Sequence, residues 1–365
     1  VRTPGTLTIG IDARAAAEVP AGRGRVVREL LRALAARTDP HRYVLYARTE
    51  WDGAELDERF VWRRIRARDP WWHLLAARAA NRECDVFLSS NSYLTVWFLR
   101  IPAVPIVYDL AAFEPTMRPN RRSAVIEHLT IGPAMRRAAA LVAISEATAE
   151  ALATHFPEVS SRTVVAHLGV TPMGVNGLSA TEQATLPAPG FVLAVGTLEP
   201  RKNLPRLVDA YRSLDRELQT RHPLTVVGAV GWETGQTLAA LRSLEERCTM
   251  LGFVSDTALA ELYRRCAVFC YPSLGEGFGL PVLEAMAAGA PVVTSNLSSL
   301  PDVGGSAVEY VDPNDAASIA AGLRRVLCDD SRRAQLSRDG LERAAEFSWA
   351  SFAERVLEVL EAAAQ

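Results

Sequence analysis

The chain has 365 residues, long for one hydrophobic core, so two domains are expected. Hydrophobic residues make up 49% and charged residues 22%, with a formal net charge of −2. That balance suits a globular protein and excludes a general attraction to nucleic acid or to an anionic surface. No stretch reaches the roughly 18 uninterrupted apolar residues of a membrane span, and the opening VRTPGTLTIGIDA lacks a signal-peptide core. Cys84, Cys248, Cys266, Cys270 and Cys328 are odd in number and have no zinc-ligand spacing. Cys266 and Cys270 sit in an apolar run and read as buried free thiols. Together these features predict a cytoplasmic protein, with at most a peripheral contact at the inner face of the membrane.

In chain order, short β-rich runs alternate with helical patterns. LTIGIDA (7–13) reads as a strand and RVVRELLRALAAR (25–37) as a helix. YVLYAR (43–48), VFLSS (86–90), VPIVYDL (104–110), LVAIS (141–145) and TVVAHLGV (163–170) follow as strands, with a helix over EATAEALATHF (146–156). Between the first two of these, RRIRARDPWWHLLAARAANR (63–82) combines arginine with Trp71 and Trp72. A strand, a turn at Asp69-Pro70 and a helix buried by its Trp side is favoured there over a membrane-surface or acceptor-docking helix.

The alternation breaks at TPMGVNGLSATEQATLPAPG (171–190), which is rich in Gly, Pro, Ser and Thr and predicts a linker. It restarts with FVLAVGT (191–197), LTVVGAV (224–230), TMLGFV (249–254), VFCYPS (268–273), PVVTSN (291–296) and AVEYVD (307–312), and ends in a helix at 351–364. This is the βαβ signature of parallel sheets covered on both faces. Two Rossmann-like halves in tandem predict a ligand site in the cleft between them, at the carboxyl ends of the strands.

Two segments of the second half carry chemistry. GTLEPRKNL (196–204) follows a strand and holds Lys202, the only lysine beside 39 arginines. Arg201 offers a planar fork for phosphate oxygens and Lys202 a compact charge. SLGEGFGLPVLEAMAAGAPVV (273–293) reads as a glycine-rich turn and then a helix, with Pro281 near its start and Gly289 at its end. The N–H groups of Gly277, Phe278, Gly279 and Leu280 would form an anion site at the positive helix end. Glu276 and Glu284, eight residues apart, suit hydroxyl-bearing ligands such as sugars and riboses. The combination describes a nucleotide-diphosphate-sugar site. Histidines such as His128 and His167 have no partners at ligand spacing, so no metal site is assigned.

These segments resemble the family 4 glycosyltransferases, which have the GT-B fold and retain configuration at the anomeric centre. The resemblance runs from LTIGIDAR (7–14) to the last helix. Its most specific parts are GTLEPRKNL, LGFVSD (251–256) and EGFGLPVLEAMAAGAPVV, whose glutamates are separated by seven residues. AISEAT, LPDVGGSAVEYVDPND and FSW are also similar. The resemblance implies an α/β fold of two Rossmann-like domains facing each other across a cleft. Residues 1–171 would be the acceptor-binding domain, 172–190 the linker and 191–346 the donor-binding domain, with 347–365 a helix packing back on the first.

The resemblance also implies roles. Arg201 and Lys202 would bind the donor diphosphate, and Glu276 the sugar hydroxyls. Phe278 and Gly279 would supply backbone contacts, and Glu284 would hold the ribose. Gly252, Phe253 and Val254 would lie against the base, and Gly22 and Gly24 in AGRGRVVREL would approach the diphosphate. Tyr108 and Asp109 fall where many relatives have His-Asp beside the reacting sugar, and Thr197 where many have a donor-binding arginine. The implied reaction is metal-free transfer of a hexosyl group from GDP-mannose or a UDP-hexose. The acceptor hydroxyl would belong to a glycan, a lipid-linked sugar or a secondary metabolite. GTLEPRKN with Gly231-Trp232 favours the mannosyl branch. A nucleotide-sugar epimerase on the same frame, or an idle binding subunit motivated by Tyr108 and Thr197, are the alternatives. A phosphorylase would need a further, cofactor-bearing lysine that the chain lacks.

Overall fold

The computed structural model describes residues 5–53, 55–114, 121–171 and 178–365. Within these, two compact units form: residues 5–114, 121–169 and 348–365 make the first, and 170–347 the second. Each is built on one all-parallel sheet.

The first sheet contains β1 (Thr8–Asp12), β2 (Arg42–Ala47), β3 (Phe60–Arg64), β4 (Val86–Ser89), β5 (Ala103–Val107), β6 (Leu141–Ala143) and β7 (Thr163–Val165). Their order is β3-β2-β1-β4-β5-β6-β7. Strands β4, β5 and β6 are buried along their whole length. This is why they read as continuous apolar runs rather than as alternation. One face of the sheet carries helices α1 (Arg23–Ala35) and the terminal helix Trp349–Ala363, which pack on each other. The other face is covered by α2 (Trp71–Glu83), a 3-10 turn over Tyr93–Phe98, and α3 (Arg121–Arg137), which share one apolar core.

The terminal helix is thus an integral part of the first unit. Phe352, Ala353, Val356, Leu357 and Leu360 are buried at its helical spacing. Its start is fixed by Ser348, whose hydroxyl accepts the N–H of Ser351 at 3.0 Å. The chain enters by passing over Gly169, where a Cβ would lie 2.1 Å from the Trp349 nitrogen. Only glycine leaves room for that crossing.

The second sheet contains β8 (Val192–Val195), β9 (Leu224–Val227), β10 (Cys248–Gly252), β11 (Val268–Tyr271), β12 (Val292–Ser295) and β13 (Glu309–Val311), in the order β10-β9-β8-β11-β12-β13. Both sheets reverse strand order beside their first strand, at β1/β4 and at β8/β11. Ligands of open parallel sheets sit at the carboxyl ends of the strands flanking such a reversal. Helices α4 (Leu204–Arg212) and α5 (Leu280–Ala287) follow β8 and β11 there.

Two details differ from the sequence reading. The stretch 171–190 is not without structure: 178–190 belongs to the second unit and contains a helix, Ala180–Thr185. Residues 172–177 lie outside the described residues. The helix start is a reciprocal cap in which Ser179 accepts the Glu182 N–H and Glu182 accepts that of Ser179. A Ser-x-x-Glu pattern was its signal. The second detail is the strand expected ahead of Asp69-Pro70: it is β3, an edge strand that begins earlier, at Phe60, and exposes Arg63 and Arg64. Cys266 and Cys270 are buried free thiols, as their apolar setting predicts.

Phe352→Ala should cost about 3–5 kcal/mol, as for a fully buried aromatic. Followed by hydrogen exchange, that loss should fall on amides of the first unit and leave those of β8 to β13 unchanged.

Candidate active site

The β8/β11 reversal assembles the two sequence segments. After β8 the chain turns at Gly196, at φ 142°. A Cβ there would lie 3.1 Å from Lys202 Cε, so the glycine makes room for the lysine stem. A 3-10 turn over Pro200–Lys202 ends at Asn203, which is left-handed at φ 60°. Its amide donates to the carbonyls of Pro272 (3.0 Å) and Pro313 (2.7 Å). The Arg-Lys turn is thereby tied to the loop that leaves β11.

That loop delivers Glu276 to the same point. Its Oε1 accepts from Lys202 Nζ at 2.6 Å, Tyr271 Oη at 2.8 Å and Ser273 Oγ at 2.7 Å. Its Oε2 accepts from Arg201, and Lys202 also donates to Tyr271. Arg201 further pairs with Glu199. Lys202, Glu276 and Glu199 are all buried. Two carboxylates therefore face two cations, and the cluster is neutral as a whole.

Burial alone would raise the Glu276 carboxyl. The Lys202 and Arg201 charges, with hydrogen bonds from Lys202 and Ser273, outweigh it and hold the group down at about 2. Burial is the largest influence on Lys202 and lowers it, against the attraction of Glu276. Burial also raises Glu199, with Arg201 and Lys202 opposing. Glu276 is thus a carboxylate at any ordinary pH.

Lys202 is held on three sides by Glu276, Tyr271 and the turn at Gly196. Glu276 is engaged as well. A carboxylate has about four acceptor positions, two on each oxygen; Oε1 takes Lys202, Tyr271 and Ser273, and Oε2 takes Arg201 alone.

The glycine-rich loop is pinned from behind. Ser298 and Ser299 donate to the Glu276 carbonyl at 2.7 and 2.9 Å, and Ser299 also to that of Phe278 at 2.8 Å. Gly277 lies between them. Phe278 is buried against Phe347, ring centroids 5.9 Å apart. Gly279 has φ 109°, with Leu300 Cδ2 only 2.8 Å from any Cβ, and Leu280 begins α5. Pro281 stands in the first turn, where its missing N–H costs nothing.

Other predicted residues lie apart. Glu284, within α5, is buried and accepts from Tyr263 at 3.3 Å. Gly252 ends β10, the edge strand, two strands or about 10 Å from β8, and Phe253 and Val254 follow it. Gly252 is left-handed, and the Phe253 ring is 72% exposed. Thr197 lies between Gly196 and Leu198, and its methyl faces Gly231.

The remaining predicted residues belong to the first unit, around its own reversal at β1/β4. Gly22, at φ 54°, caps α1, and a Cβ on Gly24 would lie 1.8 Å from the Val19 carbonyl oxygen. Gly24 is thus demanded by packing and Gly22 by backbone angle. Tyr108 donates to the Ser90 carbonyl at 2.8 Å, and Arg23 stands over its ring at 6.0 Å. Asp109 accepts the Ala111 N–H at 3.1 Å. Glu127 of α3 is raised to about 7, first by burial and then by the Asp109 charge, with Arg23 opposing.

Sequence reasoning missed Glu199, Tyr271, Ser273, Ser298, Ser299 and Glu127. Glu199 stood inside GTLEPRKNL, and Tyr271 and Ser273 directly ended the β11 run. Among the described residues, no group of three or more His, Cys, Asp or Glu could hold a metal ion. None of their helices is long and apolar enough to cross a membrane.

Comparison with known proteins gives these features a family. Residues 181–343 match the model for glycosyl transferases group 1, and residues 20–172 that for glycosyltransferase family 4. The chain is 46% identical over 166 residues to the O-antigen chain mannosyltransferase B of Escherichia coli, covering 44% of this chain and 42% of that one. It is 30% identical over 289 residues to a phosphatidyl-myo-inositol mannosyltransferase of Mycobacterium leprae, covering 74% and 71%. Anabaena HepE, crystallised with UDP-glucose, superposes with a TM-score of 0.74 at 16% identity, covering 98% of this chain and 100% of that one. The chain belongs to the family 4 glycosyltransferases. Its two Rossmann-like units are those of the GT-B fold. Its match spans less than half the length of the Escherichia coli relative.

Removing Glu276 should leave Glu199 paired with Arg201 and the buried Lys202 without its counter-charge. Glu276→Ala should cost about 3–5 kcal/mol. In a double-mutant cycle by urea unfolding, Lys202→Ala should cost clearly less in that background than in the parent. Additive losses would show that the cluster is not coupled.

Proposed function

We propose that the chain transfers a mannosyl group from a nucleotide-diphosphate sugar, GDP-mannose rather than a UDP-hexose, to an acceptor hydroxyl. Configuration at the anomeric carbon is retained, and no divalent metal is required. The acceptor is a glycan or a lipid-linked sugar. The observation that carries this reading is the convergence of Arg201, Lys202 and Glu276 at the β8/β11 reversal. The relatives named as mannosyltransferases support the sugar. The UDP-glucose bound by the Anabaena protein keeps UDP donors in the test.

The chemistry follows from charge. The bond between the anomeric carbon and the diphosphate oxygen breaks, leaving positive charge on the sugar and negative charge on the phosphate. Arg201 and Lys202 meet the latter, and preorganised charge of this kind is usually the largest single catalytic contribution. The acceptor oxygen attacks from the face the phosphate leaves, and its proton passes to a phosphate oxygen.

The paired carboxylate adds a step. As a diphosphate draws Arg201 and Lys202 towards itself, two acceptor positions on Glu276 open. These take hydroxyls of the donor sugar. One exchange therefore recognises phosphate and sugar together. Free nucleotide diphosphate would lead to the same opening without filling it. The neutral cluster exchanges partners rather than exposing a bare charge.

Thermal shift tests the donor. GDP-mannose at about 100 times its dissociation constant should add roughly 2.7 kcal/mol of stability, equally with EDTA and with Mg²⁺. Stabilisation by UDP-hexoses alone would overturn the donor, and dependence on Mg²⁺ would overturn the metal-free mechanism. Lys202→Ala should lower kcat/KM about 30- to 1000-fold, or about 2–4 kcal/mol. Near-normal turnover would remove its role. The anomeric configuration of the product, read by NMR, decides retention.

A further inference from the structure

A cavity of about 580 Å³ opens at the edge of the second sheet. Its walls are the start of β13, the last turn of helix α6 (Ala316–Leu327) and the first turn of helix α7 (Asp330–Ala344). That volume lies within the range of small-molecule sites. Glu309, on the wall, is the first residue of β13, and α6 runs back along the sheet from the other end of that strand. The cavity therefore sits at the amino ends of the strands. The crevice that holds Arg201, Lys202 and Glu276 lies at their carboxyl ends. In addition β13 is three strands, or about 14 Å, from β8.

Three guanidinium groups converge on this cavity. Arg325 donates from Nε to Glu309 Oε1 at 2.7 Å, and Arg332 from Nη2 to Glu309 Oε2 at 3.0 Å. One carboxylate, only 13% exposed, thus sets two arginines side by side. Arg325 spends one of its five N–H groups on that bond. Arg324, the preceding residue of α6, is held more weakly. It reaches Asp215 at 3.9 Å, between two exposed side chains, and the Ser213 carbonyl at 3.4 Å. Both contacts are near the outer limit of their kind, so its fork can turn to a ligand. Asp329 is occupied as the cap of α7, accepting the Arg332 N–H at 2.9 Å. Three arginines against Glu309 and Asp329 leave the cavity positive in a chain of net charge −2. A tie between β13, α6 and α7 accounts for Arg325 and Arg332 on Glu309. It accounts neither for Arg324 nor for the open volume.

We propose that this cavity binds a phosphate monoester of about hexose-phosphate size, with Arg324, Arg325 and Arg332 on the phosphate. Guanidinium forks match phosphate oxygens in pairs. A tetrahedral group offers oxygens to three forks at once, whereas a planar carboxylate has only two oxygens. The body of the ester lies over Ala321, the Cys328 thiol and the apolar stems of the arginines. Its occupant is neither donor nor released nucleotide, and the inference stands apart from the donor-site reading.

Cys328 reports occupancy, because it lines the cavity and is the exposed cysteine of the five; Cys84, Cys266 and Cys270 are buried and Cys248 is half-buried. The test follows alkylation of Cys328 by N-ethylmaleimide in the whole chain, located by peptide mass. The rate should fall about tenfold with mannose 6-phosphate at about ten times its dissociation constant. Neutral mannose should give no protection, and inorganic phosphate should protect only at higher concentration. Arg324→Gln with Arg325→Gln, each variant compared with its own unprotected rate, should raise the concentration of ester needed at least about tenfold. Both positions are exposed, so the melting temperature should stay at the parent value. Absence of protection by the ester, equal protection by mannose or by inorganic phosphate, or protection unchanged in the arginine variant would each overturn the proposal.

Discussion

Everything at the β8/β11 reversal depends on placing two positive side chains inside a folded protein. Buried charges are costly unless paired and hydrogen-bonded, and a site for a diphosphate needs them near the surface of a crevice. Glu276 resolves the conflict. Together with Glu199 its carboxylate balances Arg201 and Lys202, and it is delivered by a loop whose carbonyls are held by Ser298 and Ser299. Asn203 locks the two loops together through Pro272 and Pro313. The positive φ angles at Gly196, Asn203 and Gly279 serve that one arrangement.

The same carboxylate explains why the chain keeps a lysine among so many arginines. A guanidinium at position 202 would need room for a planar fork where Gly196 leaves space only for a slender stem. The neighbouring Arg201 already makes the planar contacts, one to Glu276 and one to Glu199. A compact ammonium fits between Tyr271 and Glu276 and donates to both. Arginine and lysine are not interchangeable where one must pack and the other must fork.

The fold was largely legible because its strands are buried on both faces. Runs such as VFLSS, FVLAV and PVVTS admit few other readings, whereas the solvent-facing β3 and the capped helix after Ser179 lacked apolar runs. Of the site, the charges could be read and their partners could not. Arg201, Lys202 and Glu276 stood out by type and position. That they would engage one another, with Tyr271 and Ser273 completing the set, depends on strand order, which no local pattern reveals. Glu127 was illegible for the same reason: its setting comes from Asp109, eighteen residues away on another element. At Trp71 and Trp72 the sequence posed a choice between burial and exposure, and adjacent positions on a helix satisfy both.

The return of the terminal helix to the first unit orders events during synthesis. The ribosome completes the strands of the first sheet early, but the face that Phe352, Val356 and Leu360 cover stays open until the last helix emerges. The second unit, whose residues 170–347 form one continuous segment, can close first. Domains usually fold from the N-terminus onwards as they are made; here the half that begins first finishes last. Throughout translation of the second unit, the nascent chain carries an uncovered apolar sheet face for chaperones to shield.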